Sequence, residues 1–284
     1  MPYKFANNDH VYSSYESRIS SMLQKNTMDF LSSTNGVGVF DVSVDFGKKY
    51  CKQIADEFPE ETRDIKDGKY RKEIDLFFFL GSPDIFFSDE LNTLMSANCA
   101  RYIYHAILIS KYMSKKFQHV PFDVVEIGGG YGGLCYWLRV FQQSIQTYTI
   151  VDLPIACKLQ QKCLTYLKTE RQSITDSNTF KKGSLPVFVI SNYGYSEFNE
   201  YYQNLYKTTI LSKADAGFMI WNNWTGIYSF TDAPLLVENE RPFLTEFTIN
   251  FCTSNDLLSN VVLDQFLLRN WSNQTFRFIY RFRL

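Results

Sequence analysis

Several absences narrow this sequence before any motif does. Its cysteines, Cys51, Cys99, Cys135, Cys157, Cys163 and Cys252, form no C-x-x-C pair and no Cys/His grouping at zinc spacing. That argues against zinc-finger and dithiol redox classes and reads as the reduced thiols of an intracellular protein. No stretch reaches the roughly 20 apolar residues needed to cross a bilayer. Residues 1–10 lack the apolar core of a signal peptide, so a soluble, cytoplasmic protein is expected. The formal net charge of −1 gives no surplus of Lys or Arg to draw a nucleic acid or an anionic membrane. Repeats, low-complexity tracts and Pro/Gly/Ser-rich linkers are missing too. What is plentiful is apolar and aromatic residues, 45% and 17% of the 284. They suffice for the core of one α/β domain with an extension, or of two small domains.

The chain is organised around residues 122–133. Val124, Val125 and Ile127 form a short β-branched run, as in a strand buried within a parallel sheet. Gly128, Gly129, Gly130, Gly132 and Gly133 follow, allowing a tight turn and close approach of a ligand to the backbone. Leu134, Tyr136, Trp137, Leu138, Val140 and Phe141 then read as a largely buried helix. Strand, glycine turn and helix open a nucleotide-binding βαβ unit. Gly128, Gly130 and Gly133 fit the dinucleotide spacing G-x-G-x-x-G, a pattern of low specificity. The more informative residue is Glu126, just ahead of the first glycine. A carboxylate there would repel a diphosphate and attract a ligand with an amino group and a sulfonium. The next strand, Tyr148 to Val151, leads into Asp152, placed to accept hydrogen bonds from ribose hydroxyls.

Ahead of this unit the sequence predicts mainly helix. Residues 15–30 carry Ile19, Met22, Leu23 and Met28 near helical spacing, and 45–58 place Tyr50, Ile54 and Phe58 on one side. Residues 59–72 read as a charged loop, and an apolar run over 74–80 meets the turn signal Gly81-Ser82-Pro83. Ser88, Asp89 and Glu90 look like a helix start, with the helix running to about Tyr112. Its wide apolar face includes Leu91, Leu94, Met95, Cys99, Tyr102, Ile103, Ala106, Ile107 and Ile109. Arg101 and His105 share one face of that helix. They are either a satisfied pair at the core edge or part of a cofactor or acceptor site.

Beyond Asp152, Leu153-Pro154 begins a helix reaching about Leu167, and 170–183 holds a short third strand. Val187 to Ile190 form a fourth strand, whose continuation over 191–197 should face the reacting groups. A helix over 197–212 and a fifth strand over 217–221 follow, the latter ending at Asn222-Asn223-Trp224. A segment at 247–252 and a helix over 257–268 come next. Phe276, Phe278, Tyr280 and Phe282 alternate with Arg277, Ile279, Arg281 and Arg283, the period of a half-buried antiparallel strand with a solvated basic face.

Glu126-Ile-Gly-Gly-Gly-Tyr-Gly-Gly133 resembles motif I of class I S-adenosylmethionine (SAM) methyltransferases. Together with Val151-Asp-Leu-Pro154, Ser191-Asn-Tyr-Gly-Tyr-Ser-Glu197 and Gly217-Phe-Met-Ile-Trp-Asn-Asn223, it is similar to the signatures of a family of sugar O-methyltransferases, over about residues 120–225. The resemblance implies an α/β, Rossmann-like, seven-stranded methyltransferase sheet over 118–284. Residues 1–117 would be a mainly helical extension that caps the acceptor or dimerises. It implies SAM as cofactor and a sugar or nucleotide sugar as acceptor; separately from the resemblance, a homodimer through the N-terminal helices is one expectation. Nucleic acid and membrane are not among the expected partners.

The cofactor would be held by Glu126, which binds its amino-acid part or orders the loop that does, and by Gly128, Gly129, Gly130, Tyr131, Gly132, Asp152, Leu153, Ser191 and Asn192, with Arg101 from the preceding helix. Asn192 and Tyr193 would line the methyl-transfer side. A hydroxyl is a weak nucleophile, so in-line positioning and a base are needed. Glu197 is the first choice of base, set against a capping role at a helix start. His105 and His10 are alternatives, and Tyr193 stands beside them among the catalytic candidates. Tyr131, Tyr193, Tyr195, Trp221 and Trp224 would make an aromatic-lined acceptor pocket, although each alone fits core packing. Some such enzymes acidify the hydroxyl with a divalent metal, but no compact Asp/Glu/His cluster asks for one here. Three rival readings stand: an NAD-dependent oxidoreductase, a methyltransferase acting on an amine or other acceptor, and a non-catalytic scaffold.

Overall fold

The computed structural model describes residues 42–222 except 119, 193 and 199, residues 247–252, and residues 16, 17, 19–21, 23 and 24. Ahead of the sheet lie helices α1 (Val44–Glu57), α2 (Pro59–Lys66) and α3 (Arg71–Phe79). Ser43 caps α1 by accepting from Phe46 N, and α1 buries Tyr50, Cys51 and Ile54 as its spacing predicts. The charged loop expected over 59–72 is in fact largely α2. Proline at its first position, Glu60 and Glu61 in the first turn and Lys66 in the last are helix-terminus signals. Their high charge had masked them.

The helix expected to start at Ser88 is also corrected. Residues Ile85–Ser88 (β1) and Thr93–Ser96 (β2) pair as an antiparallel hairpin, and the helix α4 covers Ala97–Phe117. Ser88 Oγ does accept a backbone amide, from Leu91 N at 3.2 Å, as a helix cap would. The chain then turns back through Asn92 in the left-handed region at φ 49. The true cap is Ser96, whose Oγ accepts from Cys99 N.

The main sheet adds β3 (Phe122–Ile127), β4 (Ile145–Val151), β5 (Gln172–Ile174), β6 (Val187–Asn192), β7 (Ala216–Asn222) and β8 (Phe247–Cys252). Helices α5 (Gly133–Phe141) and α6 (Pro154–Tyr166) follow β3 and β4, and α7 (Gly194–Glu197) and α8 (Glu200–Thr209) follow β6. The strand order is β5-β4-β3-β6-β7-β8, and every neighbouring pair is parallel. Six strands therefore make this sheet among the described residues. The antiparallel strand read from 276–282 and the helix read from 257–268 lie outside them.

Chain order steps outward from β3 to β5, then returns to β6 on the other side of β3. Between β3 and β6 the connections diverge, and a crevice opens beyond the strands' carboxyl ends at such a switch point. The buried apolar cluster continues from α1 and α3 through α4 into α5 and the sheet. Phe77 meets Trp137 with ring centroids 5.7 Å apart, and Tyr70 meets Phe141 at 5.1 Å. The helices before residue 118 thus share a core with the sheet.

Candidate functional site

The glycine turn sits at the carboxyl end of β3, on the switch point. Gly128, Gly130 and Gly132 adopt φ of 76, 55 and 92, a region that side-chain-bearing residues seldom enter. Close packing fixes the turn as well. A Cβ on Gly129 would lie 2.6 Å from Ile150 Cγ2, and one on Gly194 would lie 3.1 Å from the carbonyl of Ile127. Gly194 thus lets the exits of β3 and β6 nearly touch. Ser191, buried at the end of β6, joins them by donating to Ile127 O and accepting from Tyr195 N, both at 2.8 Å.

Three of the turn's backbone donors are committed within the chain. Gly128 N donates to Val151 O at 3.0 Å, Gly129 N to Asp152 Oδ2 at 3.0 Å, and Gly132 N to Gly129 O at 2.9 Å. Asp152 also accepts from Leu153 N at 2.8 Å and from Gln160 Nε2 at 2.7 Å. Burial pushes its carboxyl up to about 6, against the opposing pull of these donors. Gln160, which also reaches Gly130 O at 3.1 Å, braces loop and carboxylate together. Nothing in its spacing marked it out, because only the packing of α6 on the turn aims it there.

Glu126, expected to bind the cofactor's amino-acid part or to order the loop that does, lies buried beneath the loop. It is 2% exposed, and Tyr148 on β4 donates to its Oε2 at 2.8 Å. Burial pushes its pKa up to about 8, with Asp152 adding to the rise and the Tyr148 hydrogen bond opposing it. Near neutral pH it is therefore mostly a protonated acid closed beneath the loop. Tyr148 is findable from sequence: in a parallel ladder Tyr148 pairs with Val124, which shares a strand face with Glu126.

Helix α4 brings a buried polar stripe to this end of the sheet. Asn98, Arg101, Tyr102 and His105 recur at helical spacing, and Tyr102 packs edge-on against Tyr131 at 5.4 Å. A Cβ on Gly133 would fall 2.4 Å from the Tyr102 ring. Arg101 Nη2 donates to Asn98 Oδ1 at 2.9 Å, and the guanidinium lies 5.1 Å from the Tyr102 ring centroid. His105 is buried, with Nδ1 3.3 Å from Asn192 Nδ2. Burial, aided by Arg101, holds its pKa well below the ordinary range, so the ring is neutral and Nδ1 accepts from the amide. Asn192 Oδ1 is buried with no hydrogen-bond partner among the described residues.

Two members of the expected aromatic pocket are buried. Tyr131 is fully buried against Tyr102, because the turn into α5 sends it inward. Tyr195 is 7% exposed, and its hydroxyl is used on Gln203 O at 3.1 Å. Tyr193, Trp224 and His10 lie outside the described residues, and Glu197 ends α7. No group of three or more His, Cys, Asp or Glu able to hold a metal occurs among the described residues. No helix of the described residues is long and apolar enough to cross a membrane. Cys51, Cys99, Cys135, Cys157 and Cys163 are unbridged.

No family model matches this chain, and no curated protein does. Solved structures similar to it include the plantazolicin methyltransferase BpumL in complex with SAH. That likeness has 15% identity and a TM-score of 0.32, over 72% of this chain and 58% of that one. A second is the mitomycin 7-O-methyltransferase MmcR, at 10% identity and TM-score 0.31, over 89% of this chain and 52% of that one. A third is N,N-8-amino-8-demethyl-D-riboflavin dimethyltransferase (RosA) from Streptomyces davawensis, at 15% and 0.25, over 53% and 40%. The chain spans less than two thirds of each. Likenesses this distant carry no argument about activity, which rests on the chain's own residues.

Proposed function

We propose that this protein is a SAM-dependent methyltransferase acting on the hydroxyl of a sugar or sugar-containing small molecule, such as a nucleotide sugar. The observation that carries the cofactor reading is the commitment of three of the loop amides. A diphosphate needs free backbone donors at such a turn, whereas Gly128, Gly129 and Gly132 spend theirs on Val151 O, Asp152 and Gly129 O. A nucleoside without phosphates needs close backbone approach and a ribose acceptor, and the positive-φ glycines and Asp152 offer both. With four lone-pair sites on its two oxygens, Asp152 keeps capacity for ribose hydroxyls beyond its present bonds. That favours SAM over NAD.

In this reading 118–284 is the methyltransferase domain, with residues 276–282 supplying a seventh, antiparallel strand, and 1–117 is its extension. Bound SAM supplies an electrophilic methyl on a sulfonium. Gly128, Gly129, Gly130, Tyr131, Gly132, Asp152, Leu153 and Ser191 shape its site, and Glu126 orders the loop from below. Asn192, steadied by His105, faces the transfer side. The chain's own part would be to hold the acceptor oxygen in line with that methyl and to take the hydroxyl proton on a base. Glu197 is the first choice for that base, ahead of His105 and Tyr193. The sugar acceptor rests on the sequence signatures over 191–197 and 217–223. A cytoplasmic location and a homodimer belong to the same reading.

The test is calorimetric titration with S-adenosylhomocysteine and separately with NAD, for the wild type and Asp152→Asn. Asparagine keeps one acceptor oxygen for the loop, so a folded variant is expected. Binding of the homocysteine nucleoside alone, weakened in the variant, supports the proposal. Binding of NAD alone would overturn it, and binding of neither would point to a scaffold.

A further inference from the structure

Asn98 is 1% exposed, and its Oδ1 holds Arg101 Nη2 at 2.9 Å. Its Nδ2, fixed on the same planar amide, is buried with no hydrogen-bond partner among the described residues. Burying an amide donor unpaired costs about 1–3 kcal/mol, so the arrangement calls for an acceptor. The two side chains lie in the first turns of the 21-residue helix α4, where the helix dipole adds positive potential. Through Tyr102 they adjoin the glycine turn: the guanidinium packs on the Tyr102 ring, and that ring packs on Tyr131. The influence of Arg101 reaches His105, Tyr102 and Tyr131.

A guanidinium and an amide N–H side by side complement a planar anion with two acceptor oxygens. One unit of positive charge matches a carboxylate better than a dianionic phosphate. We infer that Asn98 and Arg101 form an anion subsite for the carboxylate of the cofactor's amino-acid arm, delivered to the glycine turn by a helix that precedes the sheet. This rests on the methyl-donor reading above. Arg101 supplies the charge and Asn98 a positioned donor. The nucleoside end stays with Asp152. The segment before residue 118 therefore completes the cofactor site.

The experiment compares S-adenosylhomocysteine with its decarboxylated counterpart, S-adenosyl-3-thiopropylamine, by calorimetry on the full chain. The wild type is expected to prefer the carboxylate ligand by about 10–100-fold, the range for a charge-assisted hydrogen-bonded pair. Arg101→Met removes that preference while leaving affinity for the decarboxylated ligand unchanged. Asn98→Asp, close to isosteric and favourable near a helix start, sets a like charge against the carboxylate and lowers only the S-adenosylhomocysteine affinity. Thermal melting of each variant establishes that it is folded. Equal wild-type affinity for the two ligands, or variants that weaken both alike, overturns the subsite and leaves the methyl-donor reading standing. A wild type that binds neither ligand overturns both.

Discussion

Replacing Glu126 with glutamine tests the buried acid beneath the loop. Burial raises its pKa from an ordinary 4.5 to about 8. Between those values the folded protein holds a proton that the unfolded chain has released. Stability therefore falls as pH rises through this window and levels off above it. At about 1.4 kcal/mol per pKa unit, the full loss approaches 5 kcal/mol above pH 8, and about 3 kcal/mol of it is present at pH 7. Glutamine stays neutral throughout, and its Oε1 can still accept from Tyr148. Glu126→Gln should match the wild type near pH 4.5 and exceed it progressively above. At pH 8 the gain in melting temperature is roughly 7–15 °C for a chain of this size. Asp152, pushed up to about 6, titrates in both proteins, and its own contribution largely cancels in the difference apart from its coupling to Glu126. Melting curves from pH 4.5 to 8.5 supply the comparison. Two parallel profiles, or a variant less stable at every pH, would show that Glu126 is neither desolvated nor protonated in the folded state.

Two further perturbations address the packing that builds the site. Gly133→Ala drives a methyl to 2.4 Å from the Tyr102 ring, which Tyr131 backs from behind. Urea denaturation should register a loss of about 1–3 kcal/mol, typical of overpacking, and a change under 0.5 kcal/mol would mean that α4 and α5 separate freely. Ser96→Ala removes the cap on Cys99 N, at an expected cost of about 1 kcal/mol that Ser96→Asp should largely restore. If neither change moves the denaturation midpoint, the hairpin rather than the cap sets the start of α4.

The residues from Phe122 to Phe141 announced their structure because the signals there are local. A β-branched run, glycines at positions requiring positive φ and an apolar helix can be read without knowing what lies opposite. Asp152 and the strand over 187–192 were legible for the same reason. Elsewhere a local signal had two structural outcomes. Ser88 caps an amide three residues on, which fits a helix start or a tight turn, and pairing of β1 with β2 selected the turn. In 59–66 charge suggested loop, while packing of Thr62 and Ile65 into the core stabilised helix. The chemistry of the site depended most on tertiary structure. Glu126 becomes a protonated acid only because β4 and the covering helices exclude water from it, and the amides of Gly128 and Gly129 are committed only because Val151 and Asp152 arrive beside them. Sequence alone could put Arg101 and His105 on one helical face. Only the packing of α4 across the ends of β3 and β6 joins that face to Tyr131 and Asn192, since contacts between distant segments follow from how a core closes.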